Sequence, residues 1–349
     1  MYINPAGLVS SDLTWEKAST FNIGLDFTML NQRLDFSFDW YQRTTSDMLV
    51  KVEYPEVLGT TAPPANKAEL RTRGWEVSVK WNDRIGNDFS YDLGFILSDS
   101  QAEITKYENP SGTLSDYYVG QKIGEIWGYE TEGFYQSDTD VQNHADQSKL
   151  GANWAPGDIM YKDLDGNKKI NNGSNTLDDH GDLKVIGNTT PRYQYGITAN
   201  MSYKNVYLNV FFQGIGKRDF WPSSQPFWPV ATQYYNTQKW FVTDSWSEDN
   251  RDAYFARPIA RETKNQQKQT KYLQDASYCR LKNLTVGYDF PKSWLSFLHV
   301  AKAGVYFSAE NLFEFTNVKG AYDPEAAGKN GTMVYPFQRT YSFGLNVTF

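Results

Sequence analysis

From residue 21 onward, apolar and polar residues alternate in runs that extended chains produce. Phe21, Ile23, Leu25, Phe27 and Met29 are separated by Asn22, Gly24, Asp26 and Thr28. After Leu30-Asn31-Gln32-Arg33 the pattern resumes, with Leu34, Phe36, Phe38 and Trp40 set against Asp35, Ser37, Asp39 and Tyr41. Successive strand residues point to opposite faces, so each run makes a strand with one apolar and one polar side. The same alternation predicts further strands over 75–81, 89–97, 193–203, 206–212, 284–290, 303–309 and 341–349. Lys204-Asn205 is a two-residue link between the fifth and sixth, which together form the most regular hairpin of the chain.

The connections sort by position. Those after the first, third, fifth and seventh strands are short, whereas 44–72, 101–190, 215–275 and 314–338 follow the even strands and are long. An antiparallel meander alternates between two ends, so all four long segments fall on one. Transmembrane β-barrels have this asymmetry, with short periplasmic turns and long extracellular loops. A soluble sandwich explains the alternation equally well but not the sorting. The fold expected is therefore all-β, an antiparallel transmembrane β-barrel with long extracellular loops. Trp40, Tyr41, Trp75 and Trp81 suit an interfacial girdle, where amphipathic rings sit at headgroup level.

Composition agrees. Aromatic residues make up 16% of the 349, yet 21% are charged, as expected for strands with one apolar side. No apolar run approaches the roughly 20 residues of a membrane helix, and residues after Met1 lack both the charged start and the apolar centre of a secretory signal. The net charge of −7 without a basic block argues against a nucleic-acid partner. One cysteine, Cys279, excludes an internal disulfide, and three scattered histidines leave no zinc set. Neither a Ser-His-Asp spacing nor a phosphate-binding glycine loop is present, so an enzyme is not expected.

One stretch carries candidate chemistry. Asp163, Asp165 and Asn167 alternate with Leu164, Gly166 and Lys168, like the first half of an EF-hand loop, in which oxygen donors converge on Ca²⁺ and the next ligand is a backbone carbonyl. Here that carbonyl is Lys169's, and Ile170 stands where such loops place an apolar residue. No Glu stands at the twelfth position; the next carboxylates are Asp178, Asp179 and Asp182, and Asp182, with Asp179 as the alternate, is expected to close the shell. Residues 157–190 are thus expected to be a structural calcium loop inserted among the extracellular connections. The competing reading of these residues is a solvated turn-rich loop.

Four passages, NPAGLVSSDLTWEKASTFNIGLDF, VGQKIGEIWGYETEGFYQ, GDIMYKDLDGN…VIGNTTPRYQYG…VFFQG and RTYSFGLNVTF, resemble the SusC/RagA-like TonB-dependent outer-membrane transporters of Bacteroidota. The resemblance covers essentially all of 1–349 and identifies it as the C-terminal part, nine or so strands, of a 22-stranded barrel. The plug and the earlier strands have no counterpart. It implies import of glycan or peptide fragments across the cell outer membrane, a SusD-like surface lipoprotein over the mouth, and TonB energy delivered through the missing N-terminal region. An odd number of meandering strands cannot close on itself antiparallel, so the chain is expected to need the absent strands as partners. The competing class is a soluble calcium-dependent carbohydrate-binding protein, with Trp221, Phe227, Trp228, Tyr234, Tyr235, Trp240 and Trp246 forming a sugar surface or, alternatively, packing the loops together.

Overall fold

A computed structural model describes residues 13–50, 63–230, 236–296, 300–320, 322–327 and 337–349. It opens with four long strands, β1 (Lys17–Met29), β2 (Leu34–Val50), β3 (Ala65–Ile85) and β4 (Phe89–Lys106). A first excursion holds β5 (Glu125–Tyr129), β6 (Thr131–Phe134), helix α1 (Asp138–Asn143), β7 (Ile159–Tyr161) and β8 (Leu183–Asn188). The hairpin β9 (Arg192–Tyr203) and β10 (Val206–Lys217) leads to a second excursion with β11 (Asp219–Phe220), α2 (Lys239–Thr243) and β12 (Gln274–Asp275). The chain finishes with β13 (Tyr278–Asp289), α3 (Lys292–Leu295), β14 (Lys302–Thr316) and β15 (Thr340–Thr348).

The nine expected strands form one sheet in the order β1-β2-β3-β4-β9-β10-β13-β14-β15, antiparallel throughout. Register joins their apolar sides. Met29, Leu34, Trp81, Leu93, Ala199, Val210, Leu284, Ala309 and Tyr341 stand partner to partner across all nine. A one-residue slip would send a strand's apolar set to the other face, so this continuity pins every pairing. The next row on the opposite side reads Thr28, Asp35, Lys80, Gly94, Thr198, Phe211, Asn283, Glu310 and Thr340, and is mostly polar.

Three of the four girdle residues lie on the apolar face. Trp40 and Trp75 are partners toward the long-connection end, and Trp81 donates from its indole N–H to the Tyr91 hydroxyl (3.2 Å) toward the short-turn end. The six-residue step from Trp75 to Trp81 spans about 20 Å of strand, close to the apolar band of a membrane barrel. Tyr41 is a correction. It points to the polar face, where its ring covers Gly74, and it takes no part in the girdle.

The strands also run longer than their alternation predicts. β3 has 21 residues, about 70 Å of extended chain, so the even-strand connections shrink to 51–64, 107–191, 218–277 and 317–339. Across β2, β3 and β4 the outward row beyond Trp40 and Trp75 becomes Gln42, Arg73 and Gln101. There the apolar signal ends because the surface faces water, while the backbone ladder continues unchanged.

The buried core sits in the excursions. Ile159, Tyr161, Ile170, Phe227, Phe255 and Tyr272 are at most 1% exposed and pack together with Tyr129, Phe134, Trp228, Phe241 and Trp246. Short pairs, β5 with β8 and β6 with β7, and the bridge of Asp146 to Lys169 tie this body internally.

Candidate functional site

The acidic loop is anchored on both sides. Ile170, fully buried in the loop core, donates its N–H to the Asp146 carbonyl (2.8 Å), and the Asp146 N–H goes to the Lys168 carbonyl (2.9 Å). Gly166 and Lys168 turn the chain with φ of 78° and 61°. The Asp163 carboxylate accepts from the Gly166 and Lys168 N–H groups, both at 2.8 Å. Asp165 accepts from the backbone and side chain of Asn167 (2.9 and 2.7 Å), and the Asn167 side chain accepts from the Lys169 N–H (2.7 Å). Asp182, with no exposed surface, accepts from Leu164 and Asn171, each at 2.8 Å.

Asp163, Asp165 and Asp182 each offer an oxygen within 4.8 Å of the others. Partial burial pushes the Asp163 carboxyl up, but the Lys168 and Gly166 N–H groups outweigh it and hold the group below the usual carboxylate range. The Lys169 carbonyl accepts from the Asn171 side chain (3.1 Å). Asp179 faces elsewhere, its carboxylate engaged by the Ser174 N–H and hydroxyl at 2.9 and 2.6 Å. Of the two closing carboxylates, Asp182 therefore stands with Asp163 and Asp165. Three like charges this close favour a compensating cation, and all-oxygen donors suit calcium.

The tryptophan-rich stretch packs. Trp228 and Trp246 are 8% exposed, and Phe227 makes edge contacts with Trp228, Trp240, Tyr254, Phe255 and Tyr272. Tyr234 and Tyr235 lie outside the described residues. A row of flat rings open to sugar is thus not built from Trp228 and Trp246.

Sequence reasoning missed the charged groups that hold the body together. Asp158, fully buried, receives Arg257 at 2.8 and 2.9 Å, Lys264 at 2.9 Å and Asn265 at 2.9 Å. Burial raises the Asp158 carboxyl, yet these partners, Arg257 foremost, bring it below its ordinary range. Arg280, 1% exposed, binds Asp323 (2.6 Å) and Glu325 (2.7 Å) and so fastens the β14–β15 connection to β13. Asp158 lies in irregular chain and Arg280 is a single charge near the start of β13, so neither leaves a periodic signal, and each partner is far away in sequence.

The sheet defines a class: the wall of an antiparallel transmembrane β-barrel, apolar outside, polar inside, with its long connections gathered at one end. Comparison with known proteins gives the family. The profile described as TonB dependent receptor-like, beta-barrel, matches residues 1–312, and this chain belongs to that family of outer-membrane proteins. It is 30% identical over 366 residues to TonB-dependent receptor P3 of Formosa agariphila, covering 97% of the chain and 35% of that relative. It is 27% identical over 355 residues to TonB-dependent receptor SusC of Bacteroides thetaiotaomicron, covering 97% and 32%. Among solved structures, one described as the RagAB peptide transporter superposes with a TM-score of 0.73 at 25% identity, covering 97% of this chain and 36% of that one. The chain spans about a third of the length of these relatives.

Proposed function

We propose that this chain forms wall and mouth of a SusC/RagA-like importer that takes glycan or peptide fragments through the outer membrane. The observation that carries this reading is the sheet itself, with an unbroken apolar row outward, polar residues inward, and two packed excursions rising from one end. An apolar exterior stabilises the wall in lipid, while the polar side can line an aqueous path. Rigid strands present the connections as a binding surface, which is where a SusD-like surface lipoprotein would dock. TonB would supply the energy for import. Deleting the gene for the full transporter should abolish uptake of one oligosaccharide or peptide pool and spare the others. Unchanged uptake of every pool would reject the import reading.

Calcium has a structural role in this proposal. Asp163, Asp165, Asn167, the Lys169 carbonyl and Asp182 would hold one ion and lock the loop against the excursion core. An ion at a hundred times its Kd would add about 2.7 kcal/mol to the body. Trypsin cleavage within 157–190 should accelerate in EGTA and be restored by Ca²⁺, and Asp163→Asn should abolish the difference. Equal cleavage rates with and without the ion in the parent protein would remove calcium from the proposal.

A further inference from the structure

Among the described residues, five arginines are buried or half-buried: Arg71, Arg192, Arg218, Arg257 and Arg280. Four have a carboxylate partner. Arg71 meets Glu103 at 3.3 Å, Arg192 pairs with Asp99, Arg257 with Asp158, and Arg280 with Asp323 and Glu325. Arg218 has none. Its Nε donates to the Thr189 carbonyl (3.1 Å), which fixes the plane of the guanidinium and leaves the two terminal nitrogens without a protein acceptor. Arg218 makes no ion pair with the adjacent Asp219, whose carboxylate accepts from the Asn188 N–H (2.8 Å).

Position adds to this. Arg218 directly follows β10, at the point where the sheet wall passes into the second excursion, and its carbonyl is held by the Ala276 N–H (2.7 Å). Arg218 and Arg280 both act on the Tyr278 hydroxyl, and Arg280 stands opposite Gln213 and Glu314 on the polar side. Arg218 therefore sits at the mouth end of the sheet, within electrostatic reach of Tyr278. Burial lowers the Arg218 pKa and no carboxylate offsets this, so an arriving anion would supply the missing compensation.

We propose that Arg218 recognises a carboxylate on the imported ligand through its two terminal N–H donors. The inference rests on the import reading above. A planar fork with one edge pinned and the other free is pre-organised for bidentate pairing with a carboxylate. Two ligand sources share that chemistry, the C-terminus of a peptide and the uronic acid of an oligosaccharide.

The test uses the transporter purified from outer membranes in detergent and four pools: short peptides with free or amidated C-termini, and oligosaccharides with or without uronic acids. Calorimetry should show the parent protein preferring the acidic member of one pair by on the order of tenfold to a hundredfold, the scale of a charged hydrogen-bonded pair. The pair that shows it identifies the source. Arg218→Gln should erase the preference while leaving affinity for the neutral member unchanged, and Arg218→Lys should retain part of it. A variant that weakens both members equally would assign Arg218 a scaffold role through Thr189 and overturn the proposal, as would a parent protein that binds acidic and neutral pools alike. A parent protein that binds none of the pools would instead overturn the import reading, and the Arg218 assignment with it.

Discussion

Phe95, in the middle of the sheet, is 37% exposed, whereas Phe255, in the loop body, is 1% exposed. The same side chain stabilises the two regions in different ways. In the sheet, aromatic and aliphatic residues form an outward band whose burial comes from lipid, and order comes from the ladder. In the body, few residues belong to long strands, and order comes from a ring-packed core with buried charges at its edge. The sheet is specified by period and register, while the body is specified by contacts among residues distant in sequence.

The largest effect should separate the regions. Asp158→Ala leaves the 1% exposed Lys264 with carbonyl acceptors alone and removes the principal partner of Arg257. Breaking a buried pair in this way costs about 3–5 kcal/mol. Rapid trypsin cleavage within 107–191 and 218–277 is expected, with heat-modifiable migration of the barrel retained. If the two change together, body and sheet form one cooperative unit. Acid should act in the same direction. The folded Asp158 pKa lies below the unfolded value of about 3.9, so its contribution is fully present above that value. It is lost as the pH falls through the lower folded pKa, and limited proteolysis across that range should show the body opening first.

The converse substitution targets the band. Val79 lies between Phe36 and Phe95 in register, near its middle. Val79→Arg should cost about 2–4 kcal/mol of membrane-inserted stability, lowering the urea midpoint of the sheet in lipid vesicles while the body remains trypsin-resistant. An unchanged midpoint would show that this face does not meet lipid.

How much of this could be read from sequence follows the same division. All nine strands, their order and the sorting of the connections were legible because Leu34, Phe36 and Phe38 alternate with Asp35, Ser37 and Asp39 on a surface with two distinct solvents. The upper parts of β2, β3 and β4 were not, since Gln42, Arg73 and Gln101 face water on a strand that is still hydrogen-bonded. Asp163, Asp165 and Asn167 could be found because a local spacing defines them, and the structure adds that Asp182 joins them while Asp179 turns to Ser174. Asp158, Arg218 and Arg280 had no such signature. Their meaning lies in Arg257, Thr189 and Asp323, tens of residues away.

The smallest expected effect concerns the polar side of the sheet, which the lipid band does not explain. Tyr207 in β10 stands opposite Gly287 in β13, and Tyr306 in β14 stands opposite Gly344 in β15, both on the polar face. Each ring reaches across its glycine, and a methyl group there would overlap it. The backbone at Gly287 does not need positive φ, so the constraint is space alone. Gly287→Ala should push the Tyr207 ring into the lumen at a cost of about 1–3 kcal/mol, the scale of local overpacking. Tyr207→Ala alone should also destabilise, by exposing the strand backbone that the ring covers. If space is the cause, the double variant should be less destabilised than the sum of the two singles, a coupling that urea unfolding in lipid vesicles can read. Strict additivity would mean that the ring and the glycine do not interact, and that the inner wall is held by its ladder alone.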